Sequence, residues 1–320
     1  MLYKMKLQKD PFDRMKNGTK TIEFRLYDEK RQKVKVGDQI EFSELPDLKN
    51  KLLMDVTSLY RANSFKELFT NIFGANRPNI YSTDGRLASH QNEILSEKEI
   101  TEMADSMHEY YSPEEEAKYG VLGIGVKINT DDLKASIEKF TPYNEQEEVD
   151  KSIMLKYLNG FDDVLTRQNE FAHFSSSAFV LNKDHTKILM EFHKIYKSWA
   201  WPGGHADGDN DLLYVAMKES KEETGIKTVT PISKDIYSLE NMTVNGHVKR
   251  GKYVGSHIHL NVTYLLEADE SETIRAKEDE NAGVMWVPID KILEYSTEEW
   301  VKTRVYAKII EKMKKDGIVK

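Results

Sequence analysis

Cysteine is absent from all 320 residues, which excludes structural disulfides and thiolate metal sites and lends no support to secretion. Long apolar runs are missing as well. No window approaches the roughly 20 apolar residues of a membrane span, and the opening MLYKMKLQKDPFDR has no apolar core of signal-peptide length. Together these absences predict a cytoplasmic protein with no membrane partner. Positive charge is in deficit, with a formal net charge of -8, which argues against a surface wholly committed to nucleic acid. The deficit is uneven, because the first 51 residues carry 13 Lys and Arg against 9 Asp and Glu. No internal repeat or low-complexity tract interrupts the chain.

The length suits two domains, each able to bury a core. Residues 130–150, TDDLKASIEKFTPYNEQEEVD, are polar and acidic with few apolar side chains. That composition predicts a connection, its first part a short helix, with the boundary near Asn144 and the divisions 1–128, 129–147 and 148–320. In the first region, Lys33 to Phe42 alternates apolar and polar residues around Gly37-Asp38 and reads as a hairpin or consecutive strands. Phe65–Phe73 reads as a helix, Ser112-Pro113-Glu114 as a helix start, and Val121–Ile128 as a closing strand. In the second region, Phe174–Asn182 and Lys187–Phe192 read as strands joined by Lys183-Asp184-His185. Further strands follow at His257–Leu266 and Gly283–Val287, with a terminal helix from about Thr297.

The densest chemistry lies in GGHADGDNDLLYVAMKESKEETGI, residues 203–226. On a helix, residues three and four apart share a face, so Glu219, Glu222 and Glu223 project together just after the turn at Gly203 and Gly204. Carboxylates gathered on one small surface repel each other, and a hard divalent cation is the usual reason to assemble them. A solvated acidic face is the alternative, but it needs no glycines fixed at both ends. The run resembles the Nudix box. Gly204 takes the leading glycine, Glu219, Glu222 and Glu223 the three acids, and Gly225-Ile226 the close. Asn210, Lys218 and Ser220 depart from the pattern's glutamate, arginine and apolar residue. Lys218 keeps a positive charge beside the carboxylates without arginine's two-pronged fork.

This resemblance, over residues 148–318, implies Mg2+ or Mn2+ held by Glu219, Glu222, Glu223 and the Gly203 carbonyl. It also implies hydrolysis of a diphosphate linkage in a nucleoside diphosphate derivative, with Lys218 beside the acids and Gly204, His205 and Trp201 facing the substrate. The ion would bridge the diphosphate oxygens and activate a water, whose proton goes to a box glutamate or to Glu280. The acids 278–280 read equally as a solvated loop. Trp199 and Trp201 suit either stacking on a ligand or packing beneath the glycine turn. His257 and His259 share a strand face, but no third ligand stands at a characteristic spacing. A pocket wall or core pair is therefore preferred to zinc.

Near the N-terminus, GTKTIEFR places Gly18, Lys20, Glu23 and Arg25 in a glycine-led strand start, with Glu23 and Arg25 on one face. The run resembles the Gly-x-Lys-x-x-Glu-x-Arg pattern of the ASCH domain, which implies a PUA-like barrel and an RNA or nucleotide partner. The fold class expected of the whole is therefore α+β, a PUA-like β-barrel followed by a Nudix α/β/α sandwich with a mixed sheet. Two other functions compete with the hydrolase. One is an RNA-associated binding protein with a sensor-like Nudix domain; the other is an ASCH amidohydrolase acting on a modified nucleoside, which Glu23, in place of that group's threonine, disfavours.

Overall fold

The structure, a computed structural model, describes residues 1–75, 94–194, 197–249, 251–277 and 281–320. The chain forms two compact units: residues 1–129 with 159–169, and residues 130–158 with 170–320. These differ from the single-stretch divisions expected, because the polar segment 129–147 is not a free connection. It contains a helix, Asp131–Lys139, whose Leu133 and Ile137 are buried, and the start of another, Glu145–Gly160. No helix among the described residues is long and apolar enough to cross a membrane.

The first unit contains β1 (Leu2–Leu7), α1 (Lys9–Lys16), β2 (Ile22–Leu26), β3 (Gln39–Glu44), β4 (Lys51–Ala62), α2 (Phe65–Phe73), α3 (Glu97–Ser106), α4 (Pro113–Tyr119) and β5 (Val121–Ile128). The strands order as β1-β3-β4-β5-β2, with β1 parallel to β3 and the other pairs antiparallel. This is an open five-stranded form of the expected barrel. Its edge strands are linked by Arg25, whose Nη2 donates to the Lys6 carbonyl at 2.9 Å. Ser112 starts a helix as expected, and it and Ser96 each form a reciprocal capping box with the glutamate three residues on. Phe24, Phe65, Phe69, Ile72, Ile100 and Val121 share the apolar core.

One expected strand is shorter. Lys33 to Val36 is not extended pairing: Arg31–Lys33 forms a 3-10 turn, and Asp38 accepts from the Lys35 amide at 2.9 Å. That local bond, with Gly37 at φ 86°, uses up the backbone that a hairpin would need, so β3 begins at Gln39.

The second unit continues with α5 (Asp131–Lys139), α6 (Glu145–Gly160), β6 (Ala172–Asn182), β7 (Lys187–His193), β8 (Ser198–Ala200), β9 (Gly203–His205) and α7 (Leu212–Thr224). Then come β10 (Val229–Pro231), β11 (Ser238–Val244), β12 (His247–Lys249), β13 (Lys252–Val254), β14 (His257–Ala268), β15 (Asn281–Pro288), α8 (Ile292–Tyr295) and α9 (Ala307–Lys315). The expected terminal helix opens with a π-helical segment, Val301–Tyr306, before α9.

The main sheet runs β10-β14-β6-β7-β15, with β11 on β14, β8 on β7 and β9 on β6. Only β6 and β14 pair in parallel among its ladders. All eleven residues of β6 are buried, as a strand covered on both faces requires. Its alternation assigns the faces. Ser176 donates to the Leu212 carbonyl of α7 at 2.6 Å, whereas Phe179 and Leu181 pack with Tyr306, Ile309 and Met313. Helices α7 and α9 therefore cover opposite faces of one mixed sheet, the layered α/β/α arrangement expected.

Candidate active site

Helix α7 is defined at both ends by its sequence. Asp211 caps the start by accepting from the Tyr214 amide at 3.0 Å, and Gly225 closes it in the left-handed region at φ 72°. Within the helix, Ser220 stands where the box pattern carries an apolar residue. It is fully buried, and its hydroxyl donates to the Ala216 carbonyl at 2.7 Å. The serine thus satisfies itself within the helix and leaves the spacing of the acids intact.

The turn and the helix fit each other closely. The Gly203 amide donates to Glu223 Oε2 at 2.9 Å, and Glu223 is only 5% exposed. A β-carbon at Gly204 would lie 2.6 Å from Glu219 Cδ, so only glycine leaves that carboxylate its place. Burial pushes Glu219 above the usual carboxylate range, against the pull of Lys218. Lys218 Nζ stands 3.3 Å from Glu219 Oε1 and 3.9 Å from Glu222 Oε2. Burial weighs against the lysine's charge, but the two glutamates more than offset it, leaving Lys218 more basic than usual. The half-buried Glu219, beside Glu222, Glu223 and a peptide turn, is part of a hard-oxygen donor set that suits a divalent cation of the Mg2+ kind. Replacing Gly204 with alanine is expected to displace Glu219 and cut hydrolysis on the order of 10²-fold, the cost of about a 1 Å misplacement. Circular dichroism should stay unchanged, and wild-type turnover would show that the close approach is irrelevant.

The structure brings Gly203, Gly204, Lys218, Glu219, Glu222 and Glu223 together as expected. It separates two others. Trp201 is 7% exposed, edge-to-face with Phe179 at 5.6 Å and Tyr306 at 5.2 Å, so it packs beneath the turn and presents no face to a ligand. His205, next to Gly204 on an alternating strand, belongs to the opposite sheet face, where it clusters with His173, His257 and His259. The pairing of His257 with His259 was legible from their spacing. His173 and His205 were not, since only strand register brings them in. Glu280 lies outside the described residues. A groove lined by Lys221, Glu222, Arg275 and Lys277 opens beside the acids; its cations were missed because no short motif holds them.

In the first unit, Gly18 takes φ 81°, and a β-carbon there would meet Thr166 Oγ1 at 2.8 Å. Glu23 is buried, with Arg25 Nε at 2.7 Å and Lys20 Nζ at 3.4 Å. Burial pulls Lys20 below the ordinary lysine range, against the opposing charge of Glu23. Arg25 also donates to Tyr111 Oη at 3.3 Å. Its guanidinium therefore holds the unit together, while Lys20 lines a cavity with Thr57, Ser58, Tyr60 and Asp162.

Known proteins match both units. An ASCH domain profile covers residues 5–172, and a NUDIX domain profile covers 172–309. The chain is 30% identical over 139 residues to an RNA pyrophosphohydrolase of Pelagibacter ubique, a match spanning 42% of this chain and 87% of that one. It is 27% identical over 143 residues to a probable DHNTP pyrophosphohydrolase of Lactococcus lactis, spanning 44% and 81%. A solved C. elegans Ap4A hydrolase complex aligns at 15% identity over 44% of this chain and 95% of that one, with a TM-score of 0.31. The chain belongs to the ASCH family and carries a Nudix domain in its second half. It is a Nudix hydrolase acting on diphosphate linkages.

Proposed function

We propose that the second unit hydrolyses the diphosphate linkage of a nucleoside diphosphate derivative, with Mg2+ or Mn2+ held by Glu219, Glu222, Glu223 and the Gly203 carbonyl. The observation that carries this reading is the fit of turn to helix: Gly203 fixes Glu223 by an amide hydrogen bond, and Gly204 leaves room for Glu219. A divalent cation bound there neutralises charge on the diphosphate oxygens and lowers the pKa of a water. The chain's own residues do the rest. Lys218 holds Glu219 and Glu222 in register, a box glutamate takes the proton of the attacking water, and Lys221, Arg275 and Lys277 face phosphate oxygens from the groove.

The two relatives are named for pyrophosphohydrolysis of RNA and of DHNTP. The deciding measurement is a screen of nucleoside diphosphate derivatives, triphosphorylated RNA and DHNTP with the full chain, in Mg2+ and in excess chelator. Release of phosphate or nucleotide that stops with chelation supports the reading. Tight binding without turnover of any of them overturns it in favour of a ligand sensor. Lys218→Ala is expected to lower the rate and Lys218→Arg to preserve or raise it; equal rates for all three would remove the lysine's role. For the first unit we infer a nucleotide or RNA ligand at the Lys20 cavity. With Arg25 engaged internally, binding there should weaken only modestly with salt, and loss of binding on Lys20→Ala is the check.

A further inference from the structure

Four histidines remote in sequence meet on one face of the second unit's sheet, and the diphosphate chemistry uses none of them. Register explains the meeting. His173 on β6 lies opposite His259 on β14, and Ser175, two residues along, lies opposite His205 on β9. His257 shares the face of His259 because strand side chains alternate. One ring nitrogen from each of the four falls within 4.8 Å of the others. His173 and His257 are buried, at 5% and 8% exposure, and the other two are half-buried. The group is enclosed but open to solvent on one side.

We propose that His173, His205, His257 and His259 form a structural site for a divalent transition-metal ion, with Zn2+ as its ligand. The donor set is all imidazole, which suits Zn2+ and its neighbours and not the oxygen-seeking Mg2+ or Ca2+. Tetrahedral Zn2+ with bonds of about 2.0–2.1 Å spaces its nitrogens about 3.3 Å apart, and His257 Nε2 and His259 Nε2 already stand 3.2 Å apart. His257 Nδ1 is paired with the Gly255 carbonyl at 2.9 Å. That bond places its proton on Nδ1 and turns the Nε2 lone pair toward the other rings, the outer-shell contact that ligating histidines make. Four protein ligands complete a tetrahedron, so the ion holds structure and offers no position to substrate. It would tie β9 to β6 and β14 one residue from Gly204, bracing from the opposite face the turn that receives Glu219 and Glu223. The site does not depend on the hydrolytic reading.

The test uses the full chain, stripped by chelator and returned to excess Mg2+ so that hard carboxylate sites are occupied. Zn2+ is titrated in competition with a chromophoric chelator, and Co2+ is used in parallel to report geometry. One Zn2+ per chain, a tetrahedral Co2+ spectrum and a thermal midpoint raised by Zn2+ are expected. His257→Gln/His259→Gln should weaken Zn2+ binding about 100-fold or more and abolish the thermal shift. Absence of binding, an octahedral Co2+ spectrum, or affinity unchanged by the double substitution overturns the site. If circular dichroism shows that the double variant does not fold, His205→Gln, on the half-buried side, carries the decision: a loss of about tenfold or more supports the site, and unchanged affinity overturns it.

Discussion

Glu223→Gln is expected to slow hydrolysis by roughly 10²–10³-fold, the scale seen when one group facing developing charge is removed. The amide keeps the shape of the carboxylate, and its oxygen still accepts from the Gly203 amide, the 2.9 Å bond that anchors the side chain. The fold should therefore persist while the charge disappears. Turnover at saturating Mg2+, read beside the urea midpoint, separates the two effects. Wild-type rates would mean that Glu223 braces the turn without serving the reaction, and a collapsed midpoint would mean that the change acted through stability.

The largest effect on stability is expected at Lys308. Its ammonium is 3.0 Å from both Glu147 and Glu240, whose side chains are fully buried. Burial opposes the lysine's charge, but the two glutamates more than offset it and hold its pKa above the ordinary lysine value. Around this group, Asn261 and Thr263 donate to Glu240 at 3.0 and 2.9 Å, and Ser238 donates to Glu147 at 2.7 Å. Removing the cation leaves two buried carboxylates facing each other. Lys308→Met is expected to cost about 3–5 kcal/mol, as breaking a buried pair from one side does. Adding Glu240→Gln should recover part of that loss by removing one of the stranded charges. Urea unfolding of the single and double variants decides the matter, and a single variant as stable as the parent would show that the network is dispensable.

What the sequence made legible was whatever a short run of chain determines by itself. The acids of α7 follow from helical spacing, and the bounds of α2 and β5 follow from local pattern. Where a local bond outbid the pattern, the reading failed: Asp38 captured the Lys35 amide and shortened β3. Features made by register or by distant packing left no trace in spacing. His173 and His205 join His257 and His259 through two ladders, and Glu147 reaches Lys308 across 161 positions of sequence because α6 packs on the sheet. Trp201 was ambiguous for the same reason, since burial beneath the turn depends on Tyr306, far along the chain.

The alternation of the chain between its two units, at 129/130, 158/159 and 169/170, restricts how the protein can be divided. A single cut after residue 129 leaves the first unit without 159–169, which supplies Asp162 for the 3.1 Å bond with Lys127 and Thr166 against Gly18. A single cut after residue 169 instead strips the second unit of α5 and of Glu147. No one breakpoint yields both pieces whole. A piece that keeps one unit whole, 1–169 or 130–320, must carry a segment of the other, and a fragment that fails to fold would report the cut before it reported any loss of the reaction.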